Sequence, residues 1–142
     1  MSQPRPFAEA IARLRSAGLR PTRQRLALAR LLFDDGDRHV SAEELHGQAA
    51  EAGVRVSLAT VYNTLHQFTG AGLLRQVVVD AGRTYFDTNI ADHHHFFFED
   101  SGRLQDVDGA SVALASLPEP PPGARIARVD VIIRVQPERS ER

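Results

Sequence analysis

Ser57-Leu58-Ala59-Thr60-Val61-Tyr62-Asn63-Thr64-Leu65-His66-Gln67-Phe68-Thr69-Gly70-Ala71-Gly72 is the stretch on which the fold turns. Leu58, Val61, Leu65 and Phe68 recur at three, four and three residues, the period of a helix that buries one stripe. Ser57 is suited to cap its start, and Gly70-Ala71-Gly72 stops it. Thr60, Asn63, Thr64 and Gln67 fall on another face, which is polar and uncharged. Together with Ser57 and Tyr62, these hydroxyls and amides both donate and accept, which suits the edges of base pairs in a DNA groove.

Working upstream, Ser41 opens a further helix: Glu44 stands three residues on as a capping box, and Val40 and Leu45 occupy the staple positions. Leu45, Ala49 and Ala52 form its apolar stripe, and Gly53 closes it. Before it, Pro21-Thr22 leads into a helix from Arg23 to Phe33, with Leu28, Leu31 and Leu32 inward and Asp34-Asp35-Gly36-Asp37 as its exit loop. Phe7, Ile11 and Leu14 mark the first helix, ended by Gly18-Leu19. Downstream, the β-branched run from Leu73 to Val79, the turn Asp80-Ala81-Gly82 and the returning Arg83-Thr84-Tyr85-Phe86-Asp87 read as a hairpin. Helices followed by a hairpin predict a winged helix-turn-helix, whose last helix reads the major groove while the hairpin and basic residues meet phosphates. A helical interaction domain would show the same core. The cluster Arg20, Arg23 and Arg25 favours DNA.

Composition limits the alternatives. A chain of 142 residues with 42% hydrophobic and 25% charged residues can bury a core, and two half-size domains would each bury a modest one. All 17 basic residues are Arg, set against 18 acidic ones, for a formal charge of −1, so the chain is not uniformly basic. The charge is polarised, however. Residues 1–83 hold eleven Arg and eight acids, residues 84–142 six and ten, and the first thirty residues hold seven Arg with Glu9 as the lone acid. Without cysteine there is no disulfide and no thiolate zinc site, so a metal must be held by His, carboxylate or backbone oxygen. No apolar run approaches membrane-spanning length and Met1-Ser2-Gln3-Pro4-Arg5-Pro6 has no signal core, which predicts a cytoplasmic protein.

The second half is marked by Asp92-His93-His94-His95-Phe96-Phe97-Phe98-Glu99. On a strand, alternation sends His93 and His95 to one face and His94 to the other. His93 and His95, with Asp87, Asp106 and His39, could supply a mixed imidazole and carboxylate set for Fe(II), Mn(II) or Zn(II). His94 is left for another ligand, with haem iron the candidate beside a row of phenylalanines. An exposed polar strand edge is the plain alternative, and His46 and His66 read as surface or groove residues. Gly102 to Val107 predicts a strand, Gly109 to Leu117 a short helix, Pro118-Glu119-Pro120-Pro121-Pro122-Gly123 a stiff linker and Ala127 to Val135 a last strand. So few elements bury little, which predicts completion by a second copy; a homodimer would also present two reading helices to a palindromic operator. The expected class is α+β, with a winged-helix domain over 1–88 and a small α/β dimerisation and ligand-sensing domain over 89–142.

The chain resembles the ferric uptake regulator family over essentially its whole length. Gly18-Leu19-Arg20-Pro21-Thr22-Arg23-Gln24-Arg25 is similar to the opening of that family's second helix, His39-Val40-Ser41-Ala42-Glu43-Glu44-Leu45 to that of its third, and Leu58-Ala59-Thr60-Val61-Tyr62-Asn63-Thr64-Leu65 to its recognition helix. The resemblance implies a dimeric, metal-responsive transcription factor. It places Tyr62 and Asn63 on the recognition helix, Arg20 at the groove or backbone, and His39, Asp87, His93, His95 and Asp106 at one regulatory metal site. Arg20, Thr22, Arg23, Arg25, Ser57, Thr60, Tyr62 and Asn63 are thus the expected DNA-binding residues. Phe98 and Ser101 stand where typical members carry a Cys-x-x-Cys pair, so the structural zinc is not expected. A later ligand His is replaced at Val129 or its neighbour, which speaks against a second site. These departures and the triple His resemble the iron response regulator branch, which implies haem sensing through His93, His94 and His95. A metal-dependent enzyme is the reading from another class, but the sequence offers it neither a nucleophile nor a pocket signature.

Overall fold

Three hydroxyl side chains begin three helices. In the computed structural model, which describes residues 7–139, Thr22 Oγ1 accepts from the Arg25 N–H at the head of α2 (Arg23–Phe33). Ser41 Oγ accepts from the Glu44 N–H at the head of α3 (Ala42–Glu51), and Ser57 Oγ from the Thr60 N–H at the head of α4 (Leu58–Gly70). Each bond satisfies a donor that the first helical turn leaves open. The preceding α1 (Ala8–Ser16) has no side-chain cap. Met1-Ser2-Gln3-Pro4-Arg5-Pro6 lies outside the described residues.

The exits are alike too. Leu19, Val54 and Leu73 donate back to the carbonyls of Leu14, Ala49 and Phe68 at 2.8 to 2.9 Å, which closes α1, α3 and α4 with the same reverse turn. At the end of α4 this turn puts Gly72 at φ +82°, where a side chain would be strained.

The helices bury Leu14, Leu28, Leu32, Leu45, Ala49, Val61, Leu65 and Phe68 in one core. Full burial of a leucine or phenylalanine contributes about 2 kcal/mol. The inner faces differ from the periodicity at four places. Ala10 and Leu14 line the inside of α1 while Phe7 is exposed; Ala52 and Leu58, at helix ends, are exposed as well. Thr64 is buried beside Leu65 instead of joining the exposed polar face, because it follows Val61 by three residues and shares its side of α4.

A three-stranded antiparallel sheet completes this unit. Strands β2 (Arg75–Asp80) and β3 (Arg83–Asp87) form the hairpin, with an irregularity between Val78 and Asp80. The two-residue β1 (His39–Val40) pairs with β3 on its other side, in the order β1-β3-β2, and sends Val40 and Phe86 into the helical core. Helices with a wing of this kind make the winged helix-turn-helix.

The chain divides between Ile90 and Ala91. In the second unit β4 (His93–Phe98) lies centrally, antiparallel to β5 (Arg103–Asp108) and parallel to β6 (Ile132–Val135). Phe97, Leu104 and Val107 are its buried apolar residues. The helix expected over Gly109 to Leu117 is instead a single 3-10 turn, Gly109–Ser111, and the strand expected from Ala127 is confined to β6. Leu114 and Leu117 are about half exposed, at 47% and 50%, so nothing packs on the apolar stripe such a helix needs. Gly109 sits so close to β4 that a Cβ there would lie 3.1 Å from the Asp92 carbonyl oxygen. Among the described residues, no helix is long and apolar enough to cross a membrane.

Candidate DNA-reading face and metal centre

The residues expected at DNA divide into two kinds. Arg20, Arg23 and Asn63 are exposed, and among the described residues their side chains carry no bond within the fold. The others have work within the fold: Thr22 caps α2, and Ser57 Oγ also donates to Thr60 Oγ1 at 2.9 Å. Arg25 donates through Nε and Nη2 to Gln67 Oε1 at 3.3 and 3.0 Å, and through Nη1 to the Arg20 carbonyl at 2.8 Å. It thereby ties the opening of α2 to the last turn of α4. The Tyr62 hydroxyl donates to Glu43 Oε1 at 2.6 Å, which holds the Glu43 carboxyl below its ordinary range and raises the Tyr62 phenol above its own. His46 Nε2 lies 3.1 Å from the Val56 carbonyl, and since a carbonyl only accepts, the ring donates there and pins the connector ahead of α4. Sequence reasoning missed Glu43 and His46 as partners of α4, because both bonds join residues whose proximity depends on how α3 packs.

The expected metal ligands lie in two sets, one in each unit. In the first, His39 is paired in register with Asp87 across β1 and β3. Asp87 is buried, and its Oδ1 accepts from the Asn89 N–H at 2.9 Å. In the second, burial alternates along β4, with His93, His95 and Phe97 inside and His94 on the opposite face. Asp106 stands opposite His95 on β5. His93 Nε2 and His95 Nε2 approach the same Asp106 Oδ1 at 3.5 and 3.4 Å, with ring centroids 4.6 Å apart.

Hydrogen bonding decides what these nitrogens can do. His93 Nδ1 is 2.6 Å from the Ala91 carbonyl, so Nδ1 carries the proton and the neutral ring leaves its lone pair on Nε2. A backbone carbonyl holding the far nitrogen is the usual second layer around a metal-binding imidazole. Two buried nitrogens and a carboxylate oxygen meeting at 3.4 to 3.5 Å are too far apart for strong hydrogen bonds, and that spacing suits donors around a cation. His94 has a different partner: its Nδ1 accepts from the Val131 N–H at 3.1 Å. Phe98, on β4, and Ser101, in the following turn, bring no sulfur ligand, and the chain has no cysteine.

The family model described as Ferric uptake regulator family matches residues 16–116, a span that takes in α2, α3, α4, the wing and both sets of ligands. This chain belongs to the ferric uptake regulator family. Members of this family are metal-responsive transcription regulators and not enzymes. Relatives include the ferric uptake regulation protein of Shigella flexneri, 34% identical over 100 residues that make up 70% of this chain and 68% of that one. The Pseudomonas aeruginosa protein of the same name is 37% identical over 100 residues, 70% of this chain and 75% of that one. The ferric uptake regulator of Pseudomonas aeruginosa, solved with manganese, superimposes with a TM-score of 0.68 at 27% identity over 90% of this chain and 97% of that one. The α+β architecture of a ferric uptake regulator, a winged-helix domain followed by a small second domain, is therefore the architecture here. Its family match ends just before Pro118, where the proline-rich segment begins.

Proposed function

We propose that this chain is an iron-responsive transcription regulator that binds palindromic operator DNA as a homodimer, with its affinity set by a divalent ion, Fe(II) or Mn(II). The observation that carries the reading is the approach of His93 Nε2 and His95 Nε2 to one oxygen of Asp106. His93 and His95 would bind through Nε2 and Asp106 through its carboxylate, with His39 and Asp87 of the wing sheet as the further ligands of the expected set. The ion would supply the positive charge that holds these carboxylates and imidazoles together. Holding the ion through His39 and Asp87 would restrain the wing sheet, whose β1 leads directly into the cap of α3.

On the DNA side, Arg20 and Arg23 suit phosphates, Ser57 and Asn63 suit base edges, and Thr22, Arg25, Thr60 and Tyr62 shape the same surface. The homodimer is supported by a second unit with a small core and by Leu114, Leu117 and Ile126, which are large, apolar and exposed. Acting on DNA, the protein would work in the cytoplasm.

Control by haem, as in the iron response regulator branch, is the second reading. It draws on a cleft of about 340 Å³ lined by Phe96, Phe98, Gln105 and Val135, with His94 on the same face of β4. His94 would then ligate the iron within the His93, His94 and His95 segment. The bond from Val131 to His94 Nδ1 leaves the proton of the neutral ring on Nε2, so His94 would have to exchange that arrangement for a ligand bond. His93 already has its proton on Nδ1, against the Ala91 carbonyl, and its lone pair on Nε2 toward Asp106, and this favours the divalent ion.

Titration of chelator-treated full-length protein with Mn(II), anaerobic Fe(II) or haem, read as retardation of genomic DNA fragments, tests both readings. Operator affinity is expected to rise about tenfold or more with a divalent ion, equivalent to at least ~1.4 kcal/mol of coupling. Retardation that is the same with and without any ion would reject metal control, and a response to haem alone would select the second reading.

A further inference from the structure

Glu43 and Tyr62 meet on the flank of the helix proposed to enter the groove. Glu43 lies in the first turn of α3, where the helix N-terminus favours a carboxylate, and Tyr62 lies one turn into α4. At 2.6 Å their bond has the length of a charge-assisted bond from a hydroxyl to a carboxylate. Both residues line a cleft of about 350 Å³ whose other wall is the wing turn with Gly82 and Arg83, so the pair looks out between α4 and the wing. A phenol has one proton, and this one is directed at Glu43. With the Glu43 carboxyl lowered and the Tyr62 phenol raised, the arrangement holds throughout neutral pH.

The Tyr62 side chain therefore offers an arriving base edge an oxygen that can accept and a ring that can pack, but no donor of its own. Cytosine N4, adenine N6 and the thymine methyl are compatible with that surface. Guanine presents two acceptors, N7 and O6, in the major groove and gains nothing from it.

We propose that Glu43 is a positioning residue for base selection: by holding the Tyr62 hydroxyl proton it withholds a donor from the groove and disfavours guanine at the base pair Tyr62 meets. The proposal rests on the reading of α4 as the groove helix. It differs from a simple charge effect, in which the carboxylate would repel every DNA sequence equally.

The test is selection of binding sites from randomised duplex DNA by full-length, Mn(II)-loaded protein, comparing wild type with Glu43→Ala, Tyr62→Phe and the double variant. Glu43→Ala should raise the representation of guanine at one base pair of each half-site by about fivefold, the value of a single good contact near 1 kcal/mol. Tyr62→Phe should show no such gain, and adding it to Glu43→Ala should abolish the gain. If Glu43→Ala keeps the wild-type preferences, or binds all sequences more tightly by one factor, the proposal is overturned while the DNA reading stands. A guanine gain that persists in the double variant also overturns it, since the hydroxyl would not be its source. A wild-type protein that enriches no sequence overturns the groove reading and this proposal together.

Discussion

The three consecutive histidines have three different surroundings. His93 is oriented by the Ala91 carbonyl, His95 is buried opposite Asp106, and His94 accepts from the Val131 N–H on the other face of the strand. Replacing His95 with Ala should weaken Mn(II) binding by at least the ~10- to 100-fold that loss of an outer-layer partner commonly costs. His94→Ala should leave Mn(II) affinity within about twofold of wild type, and should instead destabilise the second unit by ~1 kcal/mol through the lost hydrogen bond. Isothermal titration with Mn(II) and urea unfolding separate the two outcomes; an equal loss of Mn(II) affinity in both variants would contradict the division of roles. The opposite facing of His93 and His94 was legible in the sequence, because strand alternation is local. Asp106 was a candidate partner because it is a carboxylate on the next predicted strand, but its position opposite His95 depends on the register of β4 against β5, which the residues alone do not fix.

At the scale of elements, the helices were legible wherever a side chain announces them. Thr22, Ser41 and Ser57 each bond a backbone N–H three residues ahead, a chemistry that fits inside four residues of sequence. The strand β1 was not legible: two residues have no period, and His39 and Val40 become a strand because β3 offers an open edge. The helix expected over Gly109 to Leu117 failed for the converse reason, a suitable pattern without a surface to bury it. Such local devices have measurable worth. Ser57→Ala should destabilise the winged-helix unit by ~1 kcal/mol, the usual cost of a lost cap. Arg25→Ala should also destabilise it, by about 1–2 kcal/mol, because it removes three donors that join α2 to Gln67 and the Arg20 carbonyl. Chemical unfolding followed by circular dichroism measures both. An Arg25→Ala protein of unchanged stability would show that the arginine acts at DNA alone.

Over the whole molecule, a formal charge of −1 conceals a basic first half and an acidic second half. Operator binding should consequently be strongly salt-dependent despite the near-neutral total, since phosphate contacts release counterions from the DNA. Arg23→Ala should reduce the slope of log affinity against log salt by about one, with little change in sequence preference. Fluorescence anisotropy across a salt series checks this, and an unchanged slope would remove Arg23 from the phosphate-binding set. One stretch of the first unit bears on how a ligand event is transmitted through it. Residues 39, 40 and 41 hold in succession a proposed metal ligand, a fully buried valine and the cap of α3. Two residues of chain span at most ~7 Å, so there is no slack between them. A displacement of His39 cannot be taken up as loop motion; it must either be resisted by the core around Val40 or turn α3 as a lever, with Glu43 and the Tyr62 hydroxyl at its working end.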